Sequence, residues 1–185
     1  MLRNSKLRLA SAIIIAAVMV AVVAGPATVS AQEVATGAAS ANVLAVLIVT
    51  SVQDLNFGDV LQGVPTSADI DLVAEAADFL VGGAAGYEVA LYLQLPEFLW
   101  NATNTDRMQI AFSSTDAEID PLAAGDAANK SGTETVEDPY NLTATTLGVD
   151  NGAHVYLAGT IYPAVDQAVG AYTGDIVLTA AYTGN

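Results

Sequence analysis

The sequence of 185 residues contains no cysteine. This absence excludes disulfides, thiol catalysis and cysteine-ligated metal sites. It also excludes a lipid anchor on a cysteine after the first apolar segment. A secreted domain of this length does not depend on disulfides, because its chain can bury enough apolar surface to form a core.

Basic residues are also scarce, and three of the five, Arg3, Lys6 and Arg8, lie at the amino end. They precede thirteen uncharged apolar residues, 12–24, and small residues follow up to Ala31. This order is typical of a signal peptide, 1–31. The alternative is a retained membrane anchor, but the apolar run is shorter than the roughly 20 residues that a spanning helix needs. We therefore expect a protein exported by the general secretory pathway, secreted or at the cell surface, with no membrane segment after cleavage.

Cleavage would leave two basic residues, Arg107 and Lys130, against all twenty acidic ones, a net charge of −18. Nucleic acids and anionic lipids are excluded as partners, because both bind clustered Lys and Arg. High net charge favours solubility and repulsion between molecules. Adaptation to a saline habitat and cation-dependent assembly are the two alternatives.

The sequence also lacks a sustained helical period. Its best helical stretch, 117–128, is interrupted by Pro121 and Gly125. Short segments with a two-residue period, separated by turn residues, predict an all-β fold: a single antiparallel β-sandwich over 42–185, after a flexible leader, 32–41.

Eight segments are predicted to be strands. The Val43–Val49 segment is continuously apolar, which is typical of a strand buried on both faces. Asp150-Asn151-Gly152 predicts a type I′ hairpin turn. In chain order the predicted strands are Val43–Val49, Ala68–Ala74, Asp78–Val81, Tyr87–Leu95, Arg107–Ser113, Leu142–Leu147, His154–Ile161 and the terminal segment from Gly170.

One long acidic loop is predicted between Ser113 and Pro139, mobile and solvated. Within it Asp116, Glu118 and Asp120 alternate, so an extended chain would present three carboxylates on one side, as calcium requires. The spacing lacks the glycine and the distal glutamate of an EF-hand loop. A solvated acidic edge is therefore the favoured interpretation, and no cofactor is expected.

Few residues suit catalysis. His154, the only histidine, is opposite in phase to the apolar Val155, so we expect it to face solvent or a partner. No nucleophile, base and orienting acid come together in the sequence, so we predict no enzyme activity and rank a hydrolase last. Phe98 and Trp100 fit a plug at the edge of the core, with an exposed platform for carbohydrate or protein as the alternative.

The end of the chain has the clearest alternation. One face carries the apolar and small residues, the other mostly Thr, Ala and Asp, as in a half-buried strand. The residues of the first face that we consider candidates for an assembly strand are Gly170, Tyr172, Gly174, Ile176, Leu178 and Tyr182.

Three patterns occur in order along the chain. They are Leu55-Asn56-Phe57-Gly58, the strand containing Met108, and the terminal segment Gly170–Tyr182. Together they resemble an uncharacterised family of secreted bacterial β-domains with LxFG and GxYxG…TxxY motifs. That family is similar to fimbrial subunits and spore-coat-U-type proteins, and the resemblance covers residues 42–183. It implies an Ig-like or pilin-like sandwich that acts as a structural or adhesive surface subunit.

The fimbrial part of the resemblance implies assembly by strand donation. In chaperone-usher pilins, a glycine and an aromatic residue twelve positions apart lie on the last strand, with which a periplasmic chaperone pairs; Gly170 and Tyr182 have this separation. The implied partners are copies of the chain and such a chaperone, with the Gln32–Val49 segment as donor. If Val43–Val49 is instead the domain's own first strand, the sandwich is self-complete and would be a monomeric extracellular binding module for carbohydrate or protein.

Overall fold

The computed structural model of the protein describes residues 35–184. The predicted signal peptide and the start of the leader lie outside these residues. The 35–41 segment has no regular secondary structure, and Asn42–Asn185 form one compact unit. In the part of the chain that the structure describes there is no α-helix, and hence none long and apolar enough to span a membrane.

The strands pair only in antiparallel fashion. In chain order they are β1 (Ile48–Gln53), β2 (Thr66–Ser67), β3 (Ala77–Gly82), β4 (Glu88–Gln94), β5 (Phe98–Asn101), β6 (Arg107–Ala111), β7 (Ala117–Asp120), β8 (Gly125–Asp126), β9 (Asn129–Lys130), β10 (Thr135–Glu137), β11 (Thr145–Thr146), β12 (Gly152–Leu157), β13 (Thr160–Tyr162), β14 (Tyr172–Thr173) and β15 (Val177–Tyr182).

Three sheets build a β-sandwich. The main sheet has the order β1-β3-β12-β7-β10. The short sheet, β11-β4-β15, and the second five-stranded sheet, β14-β5-β6-β13-β2, supply the other side of the core. Residues such as Val81 and Val155 of the main sheet share one buried cluster with Leu91 of β4 and Ile110 of β6. The predicted all-β, antiparallel sandwich is thus confirmed.

Strands β3, β4 and β6 lie where alternation predicts them. In β4, Val89, Leu91 and Leu93 are buried while the residues between them are exposed. In β6, Met108 and Ile110 are buried in the same way. Each alternation reflects one face on the core and one face in solvent.

Two predicted strands are wrong, and a third, His154–Ile161, is divided between β12 and β13, which belong to different sheets. Val43–Val49 is not a buried strand: β1 begins only at Ile48, and Val43 and Val46 are 92% and 79% exposed. The reason is that β1 is the edge of the main sheet, with a partner on one side only. The predicted strand at Ala68–Ala74 consists largely of turns, because the Asp69 carboxylate accepts the Asp71 amide and the Leu72 carbonyl accepts the Ala76 amide.

The Asp150-Asn151-Gly152 turn exists but does not form a hairpin. Asn151 adopts a positive φ of 68°, as predicted. However, β11 before the turn pairs with β4, whereas β12 after it pairs with β3 and β7. The turn therefore carries the chain from one side of the sandwich to the other.

The prediction of a long, mobile and solvated acidic loop between Ser113 and Pro139 is wrong. The stretch contains β7 to β10, and β7 and β10 are members of the main sheet. Its carboxylates act as acceptors for backbone amides: Asp120 accepts those of Leu122, Ser131 and Gly132, and Asp126 accepts that of Asn129. We name residues 121–132 the cover segment, because it lies on the outer face of the main sheet.

His154 is buried beneath the cover segment, so the expectation that it faces solvent is wrong. Its Nδ1 lies 2.5 Å from Asp78 Oδ1, and its Nε2 lies 3.1 Å from the Ala123 carbonyl oxygen. The Tyr156 ring stacks on it with centroids 5.5 Å apart. Alternation places His154 on the outer face of β12 correctly, but it cannot reveal that distant residues cover that face.

Candidate functional site: the groove between two sheet edges

The terminal segment forms two strands rather than one. Thr173 of β14 is opposite Trp100 of β5, while β15 runs along β4 from Val177 to Tyr182. The pairing breaks at Pro96 on one side and at Gly174 on the other. A Cβ at Gly174 would lie 2.9 Å from Leu99 Cδ2 and 3.3 Å from Pro96 Cβ, so glycine permits this close crossing.

The break separates the assembly-strand candidates. Leu178 and Tyr182 belong to β15, Tyr172 belongs to β14, and Gly174 and Ile176 lie between them. Gly170 precedes both strands, with a φ of 150° and open space around its Cα. Gly170 and Tyr182 therefore do not share the face of one continuous strand, because the twelve-residue step crosses the break.

Strand β15 is an edge of the short sheet, and β1 is an edge of the main sheet. Tyr182 connects the two regions: its hydroxyl accepts the Ala84 amide at 2.6 Å and donates to the Ala45 carbonyl at 3.1 Å. Its ring packs edge-on against Tyr87. The Asn42 side chain donates to the Tyr87 hydroxyl at 2.6 Å. The apolar segment before β1 is thus held by two tyrosine hydroxyls and by the packing of Leu47 against the core, and not by a strand ladder.

A groove of about 990 Å³ opens between β1 and β14, which are edges of the main sheet and of the second five-stranded sheet. One wall is the 51–60 segment, which begins in β1, and the other is the 170–177 segment, which contains β14. The floor consists of core side chains, chiefly Phe79, Met108 and Ile110. These floor side chains are buried, so the groove ends on the core of the sandwich.

The LxFG motif forms part of the same groove. Leu55 and Phe57 are half-buried and pack against the core, and Gly58 lies between them and Asp59 on the wall. The Asn56 side chain accepts the Gly58 amide at 3.0 Å, and Gly58 has a φ of 62°. This turn requires a residue that tolerates positive φ, which accounts for the glycine.

The structure therefore brings together residues from all three of the quoted sequence patterns. Leu55, Phe57, Gly58 and Met108 line the groove with Gly170, Tyr172, Gly174 and Ile176, whereas Leu178 and Tyr182 do not line it. Sequence analysis missed Phe79 and Ile161, also on its lining. No local signal could have identified them, because they alternate like any core residue and meet the other segments only in the folded chain.

Asp106 accepts several hydrogen bonds at the end of the groove where Tyr172 lies. Its Oδ2 accepts hydrogen bonds from the Tyr172 hydroxyl at 2.6 Å, the Gln167 side chain at 3.0 Å and the Ala168 amide at 3.1 Å. The Tyr172 hydrogen bond is the main reason that the pKa of Asp106 is lowered. Burial and the same contact raise the pKa of the Tyr172 hydroxyl. These bonds hold the start of β14 against the loop before β6.

The lining of the groove is suited to apolar side chains. Its floor is aliphatic and aromatic, and its polar groups are at the rim, where Asp54, Asp59 and Asp175 make the entrance acidic. An uncharged chain with apolar side chains would bury them on the floor without placing a charge against these carboxylates.

Comparisons with protein-family models, with curated proteins and with solved structures found no match.

The three carboxylates considered for a metal have separate protein partners. Asp116 accepts the Ser113 amide and hydroxyl, Glu118 pairs with Lys130 Nζ at 2.5 Å, and Asp120 accepts backbone amides. Across residues 35–184 no group of three or more acidic or histidine side chains has the geometry of a metal site.

Phe98 and Trp100 lie on β5, on the outer face of the second five-stranded sheet. Trp100 is opposite Arg107 of β6, whose guanidinium carbon lies 4.0 Å from the Phe98 ring centroid. Trp100 is 39% exposed, so it is not a buried plug. This surface is separate from the groove, whose wall at β5 is formed by the inward-facing Leu99.

Proposed function

We propose that the chain is an extracellular structural subunit of pilin-like architecture that assembles with copies of itself. The apolar segment before β1 of one copy occupies the groove of the next. The observation that carries this proposal is the groove itself, whose floor consists of core residues such as Phe79 and Met108.

The composition of the donor segment supports this assignment. No charged residue occurs from Val34 to Gln53, in a chain with twenty acidic residues. Val43 and Val46 are strongly exposed within their own domain, so their apolar side chains gain burial on entering a groove. An acidic segment would be repelled by Asp54, Asp59 and Asp175 at the rim, whereas this one is not.

The contacts that the donor segment makes within its own copy also support the proposal. Residues before Ile48 are not paired in the main sheet, so donation does not require a ladder to be broken. Release costs the hydrogen bonds of Asn42 to Tyr87 and of Tyr182 to Ala45, and the packing of Leu47 against the core. A periplasmic chaperone that adds a strand to the free edge of β15 would keep the subunit unassembled until export.

The absence of cysteine permits a direct test by disulfide trapping. Val43→Cys and Asp175→Cys variants of the chain from residue 32 are mixed and oxidised. We expect a covalent dimer on a non-reducing gel, because the donor of one copy lies on the groove wall of the other. The matched control is Val43→Cys with Val149→Cys, since Val149 is exposed but does not line the groove.

The size of the assemblies provides the second measurement. Wild-type protein should form oligomers by light scattering, and Val43→Asp/Val46→Asp should remain monomeric with an unchanged circular-dichroism spectrum. Val165→Asp/Val169→Asp, at two exposed valines elsewhere, should assemble like the wild type. A wild-type protein that stays monomeric at every concentration would show that the sandwich is self-complete and the proposal wrong.

A further inference from the structure

The outer face of the second five-stranded sheet carries an exposed patch with a distinctive composition. Across the strands, Trp100 is opposite Arg107, and Gln109 is opposite both Phe98 and Tyr162. Trp100 and Tyr162 are 39% and 45% exposed. We name these five residues the aromatic patch. Trp, Tyr and Arg are the residue types that dominate binding energy at recognition surfaces.

Arg107 is exceptional within this acidic molecule. The described residues contain two basic side chains, and the other, Lys130, is 9% exposed and paired with Asp71 and Glu118. Arg107 is therefore the exposed cation of the described domain. Although carboxylates are abundant, no ion pair involves its guanidinium among residues 35–184.

The guanidinium lies on aromatic rings instead. Its central carbon is 4.0 Å from the Phe98 centroid and 5.7 Å from the Trp100 centroid. Stacking of this kind fixes the plane of the group while leaving its N–H donors directed outward. A planar fork of N–H donors matches the two oxygens of a carboxylate.

We propose that the aromatic patch binds a pyranose that carries a single carboxylate. The flat apolar face of the sugar ring packs on Trp100, and the carboxylate accepts hydrogen bonds from Arg107. Gln109 and the Tyr162 hydroxyl are polar groups available for the ring hydroxyls.

The charge of the protein restricts the ligand further. One cation can compensate one carboxylate, while the net charge of −15 repels a polyanion such as a long polyuronate. The ligand is therefore a monovalent acidic sugar, for example at the end of a glycan. This inference does not depend on assembly through the groove, which lies on other residues.

The only tryptophan of the chain is part of the patch, so its fluorescence reports binding directly. The probes are methyl β-D-glucuronide and methyl β-D-glucoside, which differ at the carboxylate. We expect the glucuronide to change the Trp100 emission in a saturable way, with an affinity about tenfold above that of the glucoside, as a charged hydrogen bond provides. Added salt should weaken the binding of the glucuronide but not that of the glucoside.

Arg107→Gln should remove this preference and leave the weak affinity for the glucoside unchanged. Tyr92→Ala is the matched control, because Tyr92 is an exposed aromatic residue on β4 of another sheet, and it should bind like the wild type. Equal binding of both sugars, an unchanged preference in Arg107→Gln, or no emission change with millimolar glucuronide would each overturn the proposal.

Discussion

At the scale of single residues, His154 has an unusual set of partners. Both ring nitrogens face acceptors, Asp78 Oδ1 and the Ala123 carbonyl oxygen. A neutral imidazole has one N–H and can donate to one of them only, so the imidazolium alone satisfies both. Burial, the largest influence, opposes the charge, but Asp78, Ala123 and Asp120 together outweigh it and raise the pKa of His154.

The raised pKa of His154 predicts a loss of stability at alkaline pH. Because the folded-state pKa is above that of the unfolded chain, about 6.5, the contribution is complete below that pH and is lost as pH rises through the folded pKa. The free energy of unfolding, measured by urea denaturation from pH 6 upward, should therefore fall for the wild type.

His154→Asn provides the comparison for this pH dependence. It should be less stable by about 3 kcal/mol at pH 6, because Asp78 remains buried without a cationic partner. Its stability should vary less over the alkaline range. An equally steep fall in the variant would assign the effect to another group.

At the scale of elements, alternation predicts which face of a strand is apolar but not what lies against the other face. It located β4 and β6, where solvent covers one face and the core the other. It failed at Ala68–Ala74, where Asp69 and the carbonyl of Leu72 stabilise turns instead. It also failed to show that residues 121–132 cover β12, because that contact joins segments distant in sequence.

Individual residues of the candidate groove could be predicted from the sequence, but their arrangement in one groove could not. The sequence singled out Leu55, Phe57 and Gly58 by a local motif and Tyr172 by alternation. Their meeting depends on the break at Gly174, which displaces β15 from β14. The two-residue alternation of the terminal segment continues unchanged through Gly174, so it cannot reveal that the strand is interrupted there.

The cover segment supplies a prediction at the same scale. A Cβ at Gly132 would collide with the Asp120 carboxylate and come within 2.9 Å of Pro121 Cδ. Gly132→Ala should therefore destabilise the domain by about 1–3 kcal/mol in urea denaturation, the usual cost of overpacking. Gly37→Ala is the control, since no atom lies near its Cα, and it should change stability by less than about 0.5 kcal/mol. Equal stability of the two variants would contradict the close packing of Gly132.

At the scale of the whole molecule, charge opposes compactness. With five basic and twenty acidic residues, the net charge is −15, and self-repulsion weakens the folded state. Salt screens this repulsion within about 10 Å at 0.1 M. The Tm should thus rise by about 2–5 °C between low and 0.5 M sodium chloride, a shift equivalent to about 1–2 kcal/mol for a chain of this length.

Sucrose at equal osmolality separates screening of charge from a general solvent effect. Charge screening requires that sodium chloride raise the Tm more than sucrose does. A Tm that is equal in the two solutes, or flat with salt, would show that the acidic side chains do not repel one another appreciably in the folded state.

The Asp120 carboxylate accepts amides from both ends of the cover segment, Leu122 at its start and Ser131 and Gly132 at its close. One buried carboxylate therefore anchors both ends of the segment. In hydrogen–deuterium exchange, these three amides should consequently open together with one common protection factor, so that the segment behaves as a single cooperative unit rather than fraying residue by residue.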